Sequence, residues 1–209
     1  SCGNLVRTQQ TVDLYRKVRK LSFGPDGIFK NDIINSGFWS PVKKNCNTLD
    51  DVFQNTSLIN KDSTKPLGML YESLFTEQER TTNLDKGFRG HPAIGAAVMT
   101  EKMDINDEPW KTILPQINAD KNAKIFLFAS VFGGTGAAGF PTIARLLQAE
   151  LHKDGEGNCI AKIGGALVLP YFQFPPADAA NSNEMQAKVE EFMLNTKSAL
   201  DYYNKNNLL

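Results

Sequence analysis

Residues 124–139 read Lys124-Ile125-Phe126-Leu127-Phe128-Ala129-Ser130-Val131-Phe132-Gly133-Gly134-Thr135-Gly136-Ala137-Ala138-Gly139. Lys124 to Phe132 is an apolar run of strand length, the pattern of a strand buried on both faces. Glycines follow at once. Ile143, Leu146, Leu147 and Leu151 then fall on one side of a helix predicted over Ala138 to His152. A second apolar run, Ile160 to Leu169, predicts another buried strand ending at Pro170. Strand, helix and strand with short joins form a crossover unit of a parallel sheet, so the fold class is α/β.

A turn of this kind can be a plain connection, but its recurrent use is to hold an anion. The helix N-terminus presents unpaired N–H donors and about half a positive charge, and glycines let the backbone approach a phosphate. Gly134-x-Gly136-x-x-Gly139 formally fits the dinucleotide fingerprint, which also requires an acidic residue at the end of the next strand for the ribose. That strand ends Leu167-Val168-Leu169-Pro170, without an acid. No Lys-Ser or Lys-Thr follows the glycines, so a P-loop is excluded as well.

A third reading fits better. Gly133-Gly134-Thr135-Gly136 resembles the glycine-rich phosphate loop of the tubulin/FtsZ superfamily, and Pro141-Thr142-Ile143-Ala144 falls where the bacterial branch carries Pro-Val-Ile-Ala. Val168-Leu169-Pro170-Tyr171-Phe172-Gln173-Phe174 is similar to the family's strand that ends in a Phe-x-Phe turn beside the ribose. Gly90-His91-Pro92-Ala93-Ile94-Gly95 is similar to its loop near the terminal phosphate. The resemblance covers roughly Gly87 to Tyr203. It implies a Rossmann-like parallel sheet with helices on both faces. It also implies GTP or GDP as ligand, Mg2+ brought by the nucleotide, and head-to-tail self-association with nucleotide in the contact. The residues it assigns to the ligand are Gly133, Gly134, Thr135, Gly136, Ala137, Gly90, His91, Pro170 and Phe172. Asn4 joins them, lying where a loop after a second strand would reach the nucleotide. His91 reads equally well as the cap of the helix that follows it, and for Phe172 packing is the stronger reading.

The departures have consequences. Phe132 stands for the first glycine of the family loop, Ala137 for its Ser or Thr, and Ala138 for its last glycine. Losing the hydroxyl at Ala137 removes one possible phosphate hydrogen bond, worth roughly 0.5–1.5 kcal/mol net. The resemblance is thus to a divergent bacterial relative. By the same resemblance, a first strand with its own glycine loop would precede Ser1. A base-recognising Asn and the catalytic acidic loop would follow Leu209. The domain is expected to be incomplete at both ends, and no catalytic residue is assigned. Two other readings stay open: an NAD(P)-binding oxidoreductase domain, and a tubulin-like scaffold without ligand.

Composition bounds the rest. Lys+Arg and Asp+Glu both number 23, so no basic surplus exists to neutralise a nucleic-acid backbone. No apolar run approaches the ~20 residues of a membrane span. Cys2, Cys46 and Cys159 are odd in number and widely spaced, which argues for a reducing, cytoplasmic setting rather than a disulfide framework. The whole chain reads as one domain over 1–209. Within it, residues 22–66, rich in Asn, Asp, Ser, Gly and Pro, form an irregular insertion. Helices are predicted over Leu5 to Leu21, Leu67 to Glu79, Pro92 to Met103 and Asp107 to Ile117, the last distorted or ended by Pro115. A final helix, started by an Asn181/Glu184 capping box and running to about Asn204, would turn Met185, Val189, Phe192 and Met193 inward.

Overall fold

The computed structural model describes residues 2–22, 39–42, 47–54, 59–84, 87–88, 90–171 and 191–206. The chain divides into two compact units, Ser1–Trp39 and Ser40–Leu209. In the first, helix α1 spans Cys2–Ser22, three residues earlier and one later than its apolar pattern predicts. Arg19 and Lys20 fall in its last turn, where positive charge suits the helix dipole.

The second unit opens with α2 (Leu49–Phe53), α3 (Lys65–Leu74) and α4 (Glu77–Thr81). The stretch read as irregular therefore contains a helix. The signal for it was Thr48-x-x-Asp51, a capping box: the Thr48 hydroxyl accepts the Asp51 N–H at 3.1 Å, and the Asp51 carboxylate accepts the Thr48 N–H at 2.9 Å. The helix predicted over Leu67 to Glu79 is split at Phe75, and the second piece starts with its own box, Thr76 and Glu79. One polar knot ties the three helices together. The Tyr71 hydroxyl donates to Asp50 at 3.0 Å, and Arg80 reaches Asp50 at 3.5 Å and Glu72 at 3.4 Å.

Helices α5 (Pro92–Lys102) and α6 (Trp110–Ala119) follow. Pro115 lies inside α6 without ending it. The carbonyl that loses its partner there belongs to Lys111, which is exposed, so water can replace the missing N–H. Strand β1 (Lys124–Ser130) then leads to α7 (Gly134–Glu150), and β2 (Lys162–Val168) returns parallel to β1, with Lys124 opposite Lys162 and Ser130 opposite Val168. Helix α8 (Phe192–Lys205) closes the described chain.

The α/β class holds, with two corrections to the burial pattern. Among the described residues, only one face of the strand pair is covered. Gly165 faces α7, where a β-carbon would lie 2.7 Å from the Phe140 ring. On the other face Phe126 and Phe128 are 68% and 73% exposed, because no element among the described residues covers them. In α8, Phe192 is buried as predicted, but Met193 is 71% exposed. Consecutive helical positions diverge by about 100°, so both cannot point inward. The Asn181/Glu184 box, Met185 and Val189 lie outside the described residues. Leu49, Val52, Ile94, Val98, Val131 and Tyr203 are almost wholly buried and mark the core.

Candidate functional site

The glycine turn is the first turn of α7 itself. The helix starts at Gly134, four residues before its hydrophobic periodicity becomes visible, and Gly133 is its N-cap with φ −100° and ψ 168°. Glycine supplies no side-chain acceptor there, so the cap makes no hydrogen bond. The first intrahelical bond runs from the Ala137 N–H to the Gly133 carbonyl at 3.3 Å. Among the described residues no protein group accepts from the N–H groups of Gly134, Thr135 or Gly136. They remain as donors at the positive end of a 17-residue helix.

The glycines have different tasks. Gly136 sits against the end of β1, where a β-carbon would collide with the Ser130 main chain. Gly134 sits against the preceding turn, where a β-carbon would lie 2.7 Å from the Phe88 carbonyl and 2.9 Å from the His91 nitrogen. That turn depends on left-handed backbone at Gly87 (φ 86°) and Gly90 (φ 87°). The His91 N–H donates to the Phe88 carbonyl at 2.7 Å, and the Phe88 N–H donates to the Thr135 hydroxyl at 3.3 Å. Thr135 thus anchors the neighbouring turn while its own amide stays open.

Helix α5 begins directly after this turn, with His91 as N-cap and Pro92 in its first turn. It runs alongside α7 in the same direction. Gly95 abuts Gly134 and Ala138, while Met99, one turn on, meets Gly139. Small residues at Gly95, Ala138 and Gly139 permit this close approach. Two helix N-termini therefore converge beyond the carboxyl end of β1. The His91 side chain makes no capping bond; its Nδ1 lies 3.4 Å from Glu79 Oε1. Burial works to raise the Glu79 carboxyl, but the Thr76 N–H, the Thr76 hydroxyl and the His91 ring together hold it below the usual carboxylate range.

Ala137 stands apart from the open amides. Its N–H is spent in the helix, and its carbonyl accepts the Tyr203 hydroxyl at 2.6 Å, with both residues buried. Phe132 is also buried, its ring 5.1 Å from that of Phe192. Two of the three departures from the tubulin/FtsZ-type pattern, Phe132 and Ala137, thus fall at contacts with α8, and the third, Ala138, faces Gly95 of α5. Pro170 follows β2, next to the point where the Val131 N–H donates to the Val168 carbonyl at 3.1 Å, so it lies at the same sheet end as the turn. Phe172 lies outside the described residues. Asn4 belongs to α1 in the other unit, and its side chain is outside them too.

Sequence reasoning missed Phe88, Glu79 and Tyr203. A signal for Tyr203 existed. Pro141 in a helix removes the N–H that would bond the Ala137 carbonyl, so some other donor had to reach it.

A groove of about 580 Å³ opens among Trp110, Lys111, Leu114, Asn118, Glu150 and His152. It lies at the far end of α7, about 25 Å from the glycines at 1.5 Å per residue. Asn118, the polar side chain best placed in it, is already engaged, donating to the Glu150 carbonyl at 3.2 Å and accepting the His152 N–H at 2.8 Å. With Asn118 spent on the fold, the turn is the stronger candidate.

Comparison with protein families, curated proteins and solved structures finds no match to this chain.

Proposed function

We propose that the turn from Gly133 to Gly136 binds the phosphates of a mononucleotide, GTP or GDP, in a Rossmann-like domain of the tubulin/FtsZ type. The observation that carries this reading is that the amides of buried Gly134, exposed Thr135 and half-buried Gly136 have no acceptor among the described residues, on an N-terminus capped by a residue with no side chain. The N-terminus of α5 beside them adds a second positive dipole end. Pro170, at the same sheet end, is positioned to border the ribose. Magnesium would arrive with the nucleotide and be held by phosphate oxygens, since no cluster of His, Cys, Asp or Glu among the described residues could hold a metal. Head-to-tail self-association around bound nucleotide follows from the same resemblance.

The dinucleotide reading receives less support. Its third glycine should serve close packing of helix on strand, yet Gly139 faces Met99 of α5, and Gly136 is the residue that meets β1. The ligand-free reading rested on Phe132 and Ala137. Both are accounted for by packing against α8, which leaves the amides untouched.

Titration calorimetry with GTP, GDP and NADH tests the proposal on wild-type chain and on Gly133→Asp. Position 133 is suited to the test because its φ is ordinary and a β-carbon there meets only the Ser130 hydroxyl, at 3.5 Å. The aspartate would fold back onto the open amides and bring a negative charge to the phosphate position. Binding of GTP or GDP that falls about a hundredfold in the variant is the expected result. No binding by wild type, or equal binding by the variant, rejects it.

A further inference from the structure

We infer that Tyr203 and Phe192 of α8 are positioning residues for the phosphate turn, clamping its two flanks and holding the open amides in one geometry. This rests on the phosphate-binding reading above.

The two flanks are Phe132, one residue before the N-cap, and Ala137, the first residue whose N–H is used inside α7. Phe192 packs on Phe132 with ring centroids 5.1 Å apart, and the Tyr203 hydroxyl donates to the Ala137 carbonyl at 2.6 Å. The Tyr203 ring also lies 5.8 Å from Phe140, which packs over Gly165 of β2. Phe192 is 3% exposed and Tyr203 1%. The donor matters because Pro141 has no N–H for the Ala137 carbonyl, which is buried beyond the reach of water. Helix α8 thus supplies from a distant part of the chain the bond that the first turn of α7 cannot make for itself. At the same end of α8 as Tyr203, Arg145 of α7 reaches Asn206 at 3.4 Å and stacks 5.9 Å from the Tyr202 ring, so the C-terminal turn of α8 is tied to α7 at a second point. Without the clamp, the first turn of α7 samples arrangements in which the amides of Gly134, Thr135 and Gly136 no longer converge, and apparent affinity falls with the fraction that do. By the same linkage, a ligand that holds the amides together tightens α8.

The test uses the full chain, GTP with magnesium as probe, and two readouts. Calorimetry compares wild type, Tyr203→Phe and Tyr203→Phe combined with Pro141→Ala, which returns a main-chain donor to the Ala137 carbonyl. The expected result is a loss of about fivefold in affinity for Tyr203→Phe, the scale of one hydrogen bond, with recovery in the double variant. Hydrogen exchange on wild-type chain, which needs no variant to fold, is expected to slow across residues 192–206 when GTP is added. If wild-type chain binds GTP while Tyr203→Phe binds equally well, or while exchange in α8 is unchanged, the clamp is rejected and the phosphate site stands. If wild-type chain binds no GTP, both fall.

Discussion

Two short helices of the second unit begin fully capped, and the longest of its described helices begins without a side-chain cap. Thr48 with Asp51, and Thr76 with Glu79, close α2 and α4 with reciprocal side-chain bonds between 2.8 and 3.3 Å. Helix α7 starts on Gly133 with nothing. A capping side chain stabilises a helix by ~1 kcal/mol over alanine and by only about a few tenths of a kcal/mol over glycine, a gain open to α7, at 17 residues, as it is to α2 at five. The missing cap is therefore not a limitation of the fold. What distinguishes α7 is that its first turn lies where a second helix N-terminus and the carboxyl ends of both strands meet. A cap there would occupy donors that a ligand can use.

The strongest way to break the comparison is to ask whether the glycines are there for the ligand alone. Gly136→Ala is expected to destabilise the second unit by about 3 kcal/mol or more, because the new methyl meets the Ser130 main chain and neither element can retreat. Urea unfolding followed by circular dichroism measures it. A neutral result would mean that α7 does not approach β1 so closely, and the open amides would lose their defined position. Gly133→Asp sharpens the comparison from the other side. Gly133 lacks steric conflict, so the aspartate should raise stability by about a few tenths of a kcal/mol as a cap, and by up to ~1 kcal/mol with its charge at the positive helix end, while nucleotide affinity collapses. Opposite signs in the two measurements are the signature of a helix left uncapped for a ligand; equal signs would identify an ordinary N-terminus.

Tyr203→Phe comes next in size. It leaves a buried carbonyl without a donor, and the expected loss is about 1–3 kcal/mol. The pH dependence is distinctive. Burial first, and the neighbouring Tyr202 second, push the Tyr203 phenol from 10.0 up to about 12. The folded form thus holds its proton more tightly than the unfolded chain. Its contribution is complete below pH 10.0 and is lost as pH rises toward 12. Urea midpoints measured across that range should fall less steeply in Tyr203→Phe than in wild type.

These residues also mark what could be read before the structure was known. The β1–α7–β2 unit was legible because its signals are local: two apolar runs, a glycine cluster and a helical repeat. The helix start was misplaced by four residues because Gly134 to Ala137 carry no hydrophobic period, although they have the backbone of a first turn. That no described element covers Phe126 and Phe128 was not legible, since an apolar run records what a strand would bury and not which elements lie against it. Of the proposed ligand contacts, the structure brings Gly133, Gly134, Thr135, Gly136, Gly90 and Pro170 to one sheet end. It turns the His91 ring to Glu79 and gives the Ala137 carbonyl to Tyr203. Both of those partners are remote in sequence, 12 and 66 residues away, and periodicity carries no information at such range.

The smallest effect tests the capped side. Thr76→Ala removes the side-chain half of the box on α4 and is expected to cost ~1 kcal/mol. Glu79 gives this cap a pH dependence that α7 lacks. Its carboxyl is held below 4.5, despite the opposing effect of burial, by the Thr76 N–H and hydroxyl and by His91. The contribution is therefore present above pH 4.5 and is lost as pH falls through the lower, folded value. Glu79→Gln should flatten the acid limb of the stability curve. Because Glu79 also holds the His91 ring beside the turn that packs on Gly134, the same variant asks whether cap and site are linked. Calorimetry on Glu79→Gln at neutral pH, where the folded unit is intact, separates the two cases. Unchanged nucleotide affinity would confine Glu79 to the cap, whereas a severalfold loss would extend the phosphate site to the Glu79 carboxylate beside His91.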